Sequence, residues 1–179
     1  MSAEPFLLTD RLELWLPHPD DLAQMHALSD DAETRRYLGP DPDEKADSFA
    51  RLLRNAGSWN FYGYGQFMVR LKGEPKIIGN CGVFRSFRGF GQGMDDVPEA
   101  GWIIARALWG QGLTGEAMRA ILDWFDRKNG VQRMTCMIER GNIASERLAR
   151  SLGFIAYGQH QPDDAGGPLI FYERLNISG

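Results

Sequence analysis

The stretch Trp109-Gly110-Gln111-Gly112-Leu113-Thr114-Gly115 restricts this chain more than any other. It follows a strand-like segment, Ala100 to Ala105, and opens the clearest helix in the sequence. In that helix Ala117, Met118, Ile121, Leu122 and Phe125 share one stripe, while Arg119, Asp123, Asp126 and Arg127 face water. Asn129-Gly130 stops it. Glycines let backbone N–H groups approach a ligand, and a helix N-terminus adds unpaired donors and partial positive charge. Strand, glycine turn and helix start therefore make an anion site suited to phosphate. The pattern does not by itself name the phosphate.

Two nucleotide readings compete with a turn that binds nothing. A nucleotide-hydrolase loop needs Lys-Ser/Thr after its last glycine, and Glu116-Ala117 stand there instead. The string also fits the dinucleotide fingerprint G-x-G-x-x-G, with Glu139 as an acid closing the next strand. That reading would make the chain an NAD(P)-binding oxidoreductase. Against it, Arg106 to Trp109 separate the strand from the first glycine, and the hairpin-like strands nearby do not build a doubly wound parallel sheet.

The other elements follow from period and punctuation. Arg11 to Leu16 alternates as a strand, ended by Pro17 and Pro19, and Asp20 caps a helix through Leu22, Met25, His26 and Leu28. A second helix is predicted from Asp47 to Ala56, with Phe49, Leu52, Leu53 and Ala56 on its apolar face. Gly65 to Leu71 and Lys76 to Phe87 are strands around the turn Lys72 to Pro75. Arg88 to Asp96 reads as a mobile loop. Gln132 to Glu139 is a strand, Ser145 to Leu152 a short helix ended by Gly153, and Phe154 to Gln159 and Pro168 to Leu175 the last two strands. The order β-α-α-β-β-β-α-β-α-β-β predicts an α+β fold with a mixed sheet and helices on its faces.

With 179 residues and no linker or repeat, one domain spanning 1–179 is expected, long enough to bury a core without staples. A net charge of −4 gives no global pull toward nucleic acid or an anionic membrane. Cys81 and Cys136 fit neither a disulfide framework nor a metal-ligand spacing, and no metal is expected. Met1 to Phe6 lacks the basic and apolar regions of a secretory signal, and no stretch approaches the roughly 20 apolar residues of a spanning helix. A cytoplasmic location is the expectation.

Five segments then matter together: Thr9-Asp10-Arg11-Leu12-Glu13-Leu14, Ile77-Ile78-Gly79-Asn80-Cys81-Gly82, Glu99-Ala100-Gly101-Trp102-Ile103-Ile104, Trp109 to Ala117, and Asn142-Ile143-Ala144-Ser145 with Leu152-Gly153-Phe154. Their order, spread from Thr9 to Leu175, resembles the GNAT superfamily of N-acetyltransferases. The closest resemblance is to the branch of ribosomal-protein-alanine N-acetyltransferases (RimJ/RimL type). The resemblance implies a mostly antiparallel central sheet with one splayed parallel pair, here Gly101 to Ala105 and Arg133 to Glu139. It implies acetyl-CoA as co-substrate. Backbone groups of Ile103, Ile104 and Ala105 would meet the pantetheine arm, Gln111, Gly112, Leu113, Thr114 and Gly115 the pyrophosphate, and Asn142 the pantetheine again. Arg147 and Arg150 would reach the 3′-phosphate or pyrophosphate. Thr114 and Gly115 depart from the residues preferred there, and Ala149 stands where many relatives carry a tyrosine that protonates the leaving thiolate.

Acyl transfer to an amine requires proton removal from the amine, donors for the oxyanion, and stabilisation of the thiolate. Glu99, just before the cofactor strand, is the expected base; His160 is a second candidate, a water chain a third route, and His26 reads as a packed histidine. Ser145 serves either as the N-cap of its helix or as donor to the sulfur. Trp59, Phe61, Tyr62 and Tyr64 are candidates to shape the acceptor pocket, and Asp41, Asp43, Asp95 and Asp96 to attract a cationic amine. The expected reaction is direct attack of a primary amine, on a protein N-terminus or a small molecule, without a covalent enzyme intermediate. A non-catalytic acyl-CoA sensor remains the alternative, and a homodimer is compatible with either.

Overall fold

The computed structural model describes residues 4–38, 44–162 and 167–175. Eight strands make one sheet in the order β1-β2-β3-β4-β5-β6-β8-β7. In chain order these are β1 (Leu7–Leu8), β2 (Leu12–Trp15), β3 (Gln66–Leu71), β4 (Ile77–Ser86), β5 (Val97–Ile104), β6 (Met134–Glu139), β7 (Ile155–His160) and β8 (Leu169–Arg174). Four helices accompany them among the described residues: α1 (Leu22–Asp30), α2 (Lys45–Tyr62), α3 (Leu113–Asn129) and α4 (Ile143–Ser151).

Every neighbouring pair is antiparallel except β5 and β6, which run parallel and meet at one register position, Glu99 opposite Thr135. Beyond it the two strands part. Each is held on its other side along its length, β5 by β4 from Ser86↔Val97 to Gly79↔Ile104, and β6 by β8 from Met134↔Arg174 to Glu139↔Leu169. The expected splayed pair is therefore present, and the gap opens at the carboxyl end of β5. At Gly82 in β4 an added Cβ would stand 2.4 Å from the Gln66 Cα, so only glycine admits the close approach of β3.

Helices cover both faces. On β3, Phe67 and Val69 join the core cluster that contains Leu113, Ala117, Met118, Ile121, Leu122 and Phe125 of α3. Met68, pointing the other way, joins Met25 of α1 and Leu52 of α2 with Ile77. A knot of aromatic rings, Phe6, Trp59, Phe67 and Trp124, adds edge-to-face packing, with Trp59 and Phe67 centroids 4.9 Å apart.

Several expectations are corrected. Helix α2 runs from Lys45 to Tyr62, not Asp47 to Ala56, between a Glu44–Asp47 capping box and Gly63 in the left-handed conformation. Its buried stripe is Ser48, Leu52, Asn55 and Ser58, whereas Phe49 and Leu53 are exposed. Period in apolar residues missed this because the buried face is polar and hydrogen-bonded: Asn55 pairs both ways with the Gln66 backbone and the Ser58 hydroxyl donates to the Tyr64 carbonyl. Arg88 to Asp96 is tied down rather than loose. The Asp95 carboxylate accepts from the backbone N–H groups of Arg88, Gly89 and Gly91, Met94 is buried, and Arg133 donates to the Gly93 carbonyl. Strand β5 begins at Val97, before the expected Ala100, and the pair β1 at the sheet edge was not expected.

Candidate active site

The glycine loop ends the way its composition requires. Gly110 and Gly112 have φ of 77° and 75°, and Gly112 is the N-cap of α3 with no side chain to cap it. The first N–H groups of α3, at Leu113, Thr114 and Gly115, thus have no partner within the helix. Nothing stands within 4 Å of where a Gly110 Cβ would be, so the cradle is open. One guanidinium flanks it: Arg11 Nη1 donates to the Gln111 carbonyl at 3.0 Å, and Arg11 Nε meets Glu116 Oε2 at 2.6 Å. Trp109 fixes the loop to the sheet by donating its indole N–H to the Ile104 carbonyl at 2.7 Å.

That bond also shows which way β5 faces. Ile104 lies opposite Gly79, while the next residue, Ala105, donates its N–H to the Ile78 carbonyl at 2.9 Å. Ladder bonds alternate in an antiparallel pair, so Ile103 and Ala105 turn their backbone toward β4, and Trp102 and Ile104 turn theirs toward the gap. Of the three residues whose backbone was expected to meet the pantetheine arm, Ile104 turns toward the opening, Ile103 and Ala105 turn toward β4, and the Trp102 backbone also turns toward the opening. A one-residue shift of this kind is set by the register with β4 and is invisible in the local sequence.

Helix α4 supplies the opposite wall. It begins at Ile143, and its N-cap is Asn142, whose side chain accepts from the Ser145 N–H at 3.2 Å. Of the two readings of Ser145, the N-cap reading is corrected. The Ser145 hydroxyl instead accepts from the Trp102 indole N–H at 3.2 Å, which leaves its own hydrogen to donate. Ala149 is fully buried in the core under α4. Arg147 is exposed and makes no ion pair among the described residues, and Arg150 pairs with Glu146 at 3.5 Å.

These parts enclose a cleft of about 140 Å³ lined by Trp102, Ile104, Gly110, Thr114, Asn142 and Ser145 among others. Thr34 and Tyr37, from the segment after α1, close one side of it. The Thr34 hydroxyl accepts from the Arg106 N–H at 2.9 Å. Neither residue carries a periodic or motif signal, so the sequence reading passed over both.

A second cavity, of about 730 Å³, lies between α1, α2 and strands β3 and β4. Ile103 is among the residues lining both spaces, so they adjoin beside the splayed pair. Phe61 and Tyr62 line this cavity. Trp59 and Tyr64 do not; they pack in the core against Phe67 and Phe125.

Glu99 is 2% exposed. Its Oε1 accepts from Arg88 Nη2 at 2.7 Å, and its Oε2 accepts from Arg88 Nε at 2.9 Å and from the Ser86 hydroxyl. Ser86 and Arg88, unlike Glu99, line the second cavity. His26 sits between α1 and α2 with Nδ1 3.2 Å from the Ser48 hydroxyl, and His160 stacks on Phe90 at 4.2 Å; neither lines the cleft or the cavity. Asp96 pairs with Arg85 at 2.8 Å and Asp95 organises its own loop, so neither projects a free charge toward an amine. Asp41 and Asp43 lie outside the described residues.

Both cysteines are buried. Burial pushes the Cys81 thiol up to about 12, with a smaller opposing effect from the Ile103 backbone. Cys136 is pushed up further, by burial first and then by the Glu99 charge. Neither has the setting of a nucleophile. Among the described residues no cluster of three or more His, Cys, Asp or Glu side chains stands ready for a metal ion.

An open glycine loop at a helix N-terminus, beside a parting strand pair and with a second cavity adjoining it, is the architecture of a coenzyme A-dependent acyltransferase. The model of the acetyltransferase (GNAT) domain family matches residues 11–155, most of the chain. The chain belongs to this family and is an acyl-CoA-dependent acetyltransferase. A Bordetella pertussis protein described as a GnaT-family acetyltransferase is 34% identical, with a TM-score of 0.84 over 94% of this chain and 98% of that one. The protein YkkB of Bacillus subtilis (strain 168) is 29% identical over 99% of this chain and all of its own length. RimL, the ribosomal L7/L12 α-N-protein acetyltransferase solved with coenzyme A, shares the fold at a TM-score of 0.74, with 14% identity over 96% of this chain and 98% of its own.

Proposed function

We propose that the chain transfers an acetyl group from acetyl-CoA to a primary amine by direct attack. The observation that carries this reading is the junction at Ile103, where a cleft beside the glycine loop adjoins a roomy cavity. The adenylate end of the co-substrate enters from the loop side and the amine from the cavity side. RimL having been solved with coenzyme A supports the donor.

The residue roles follow from the geometry. The N–H groups of Leu113, Thr114 and Gly115, reached through Gln111 and Gly112, hold the pyrophosphate, and Arg11 adds positive charge beside them. Trp102 and Ile104 offer backbone groups to the pantetheine arm in the manner of an added strand, with Asn142 opposite. A backbone N–H there faces the thioester oxygen. Ser145, its lone pair occupied by Trp102, donates to the departing sulfur and supplies what no tyrosine at position 149 supplies. Arg147, exposed on α4, meets the 3′-phosphate at the rim. Glu99 is the proton acceptor, reached through Ser86: as the amine gives its proton to the Ser86 oxygen, the Ser86 proton passes to the carboxylate.

Release of free coenzyme A from acetyl-CoA, followed over a panel of small amines and peptides with free N-termini, tests the reading. Acetylated product with at least one acceptor is the expected result. Tight coenzyme A binding with no product from any acceptor would turn the chain into a sensor. Stabilisation by NAD(P) with none by coenzyme A would overturn the site altogether.

A further inference from the structure

The two walls of the cleft meet in a polar contact. The Trp102 indole N–H, carried by β5, donates to the Ser145 hydroxyl, carried by α4, at 3.2 Å. Both side chains are half-buried, and both residues line the cleft. An indole has a donor and no acceptor, so it occupies a lone pair of the hydroxyl and leaves the hydroxyl hydrogen to point elsewhere. A serine in the first turn of a helix can cap that helix or donate back to a nearby carbonyl. Ser145 does neither. Asn142 caps α4 by accepting from the Ser145 N–H, and the Ser145 hydroxyl donates to no group among the described residues.

The ring that holds this oxygen is itself held. Trp102 lies opposite Cys81 in the β4–β5 ladder and packs against the main core cluster. A serine hydroxyl alone has three staggered positions open to it. Acceptance from a fixed indole selects one of them, and donation into the oxygen polarises the O–H and strengthens it as a donor. A thiol has an ordinary pKa of about 8.5, so a leaving thiolate needs one well-aimed hydrogen bond more than it needs a proton.

We propose that Trp102 is a positioning residue for acyl transfer: its indole N–H holds the Ser145 hydroxyl so that the hydrogen points at the coenzyme A sulfur. This rests on the transferase reading above and on the part Ser145 plays in it. Ser145 donates a hydrogen bond to the thiolate and gives up no proton. Trp102 touches neither the thioester nor the amine with its indole nitrogen, and acts through Ser145 alone.

The test is a double-mutant cycle on the full chain with Trp102→Phe, Ser145→Ala and the two combined, with melting curves to show that each variant folds. Trp102→Phe should lower kcat by about ten-fold, the scale of one hydrogen bond, while KM for acetyl-CoA and coenzyme A affinity by calorimetry change by less than about three-fold. In the Ser145→Ala background the same substitution should change kcat by less than about two-fold. Losses that multiply, or a Trp102→Phe effect confined to KM and affinity, would show that the indole only shapes the cleft and would overturn the inference while leaving the transferase standing. A second measurement needs no acceptor: ultraviolet titration of the thiol of bound coenzyme A. The thiol should ionise at lower pH in the wild type than in any variant, and Trp102→Phe should add nothing once Ser145 is alanine. A titration that Trp102→Phe leaves unmoved, with coenzyme A bound tightly, sinks the positioning role alone. Coenzyme A that fails to bind the wild type overturns the transferase reading and this role with it.

Discussion

Glu99 accepts three hydrogen bonds inside the sheet, two of them from a single guanidinium. Replacing it by glutamine keeps the shape and removes the charge that balances Arg88. Breaking a buried ion pair costs about 3–5 kcal/mol, and Arg88 is partly open to water, so Glu99→Gln should lose about 2 kcal/mol in chemical denaturation. Turnover should fall while coenzyme A affinity holds. An unchanged rate and pH profile would show that Glu99 only positions Arg88. At Ser145 the expectation is different: Ser145→Ala should lower kcat by roughly ten- to a hundred-fold with little change in stability, because the cap of α4 belongs to Asn142. A loss of melting temperature matching a lost cap would contradict that. The identities of both residues are legible from their places in short motifs. Their partners are not, since Arg88 arrives from across a loop and Trp102 from across the gap, and no spacing encodes either contact. The same holds for Cys81, which looks ordinary in sequence; with its thiol pushed up to about 12 by burial, it should resist a thiol reagent at pH 8 until the protein is unfolded.

At the scale of elements, α3 was the easiest to read and α2 the hardest. The apolar stripe of α3 repeats at 3.6 residues because that face meets only the core. The buried face of α2 carries serines and an asparagine whose partners lie in the next strand, so a hydrophobic count fails there. The first turn of α3 is also fastened from a distance. Glu116 accepts from the Thr9 hydroxyl and from the Arg11 backbone and guanidinium. Burial raises its pKa, but these hydrogen bonds outweigh it and hold the carboxyl below its ordinary value. A depressed carboxyl adds stability that is complete above the unfolded pKa, about 4.3, and lost as pH falls through the folded one. Wild type should therefore outlast Glu116→Gln above about pH 5, and the gap between their melting temperatures should narrow as the pH falls below the ordinary carboxyl value. A constant gap would assign the effect to something other than ionisation. In the loop before it, Gly112→Asp combines a left-handed backbone, which costs about 1–2 kcal/mol for a side-chain-bearing residue, with a carboxylate aimed at the phosphate position. Coenzyme A affinity should fall by more than about a hundred-fold, and retained affinity by calorimetry would refute the cradle.

Over the whole molecule, β5 is the partition. Its register with β4 is complete, its pairing with β6 is a single position, and the cleft and the cavity adjoin at one of its residues, Ile103. Apart from β1, the order of strands and helices could be read from period and punctuation, as could the β3–β4 hairpin, but the parallel pairing of β5 and β6 came through resemblance. Local sequence says little about pairing between strands as far apart as β5 and β6. No helix among the described residues is long and apolar enough to cross a membrane. The glycine at the start of α3 leads to one further property. Gly112 offers no side chain to cap the helix, and on the proposed reading the pyrophosphate would complete it, so that ligand and secondary structure would share the same amide protons. The apo chain should exchange the Leu113 to Gly115 amides with deuterium faster than the rest of α3, and saturating coenzyme A should slow those three most. The co-substrate would then act as the last residue-like piece of the fold, present only when there is acetyl to move.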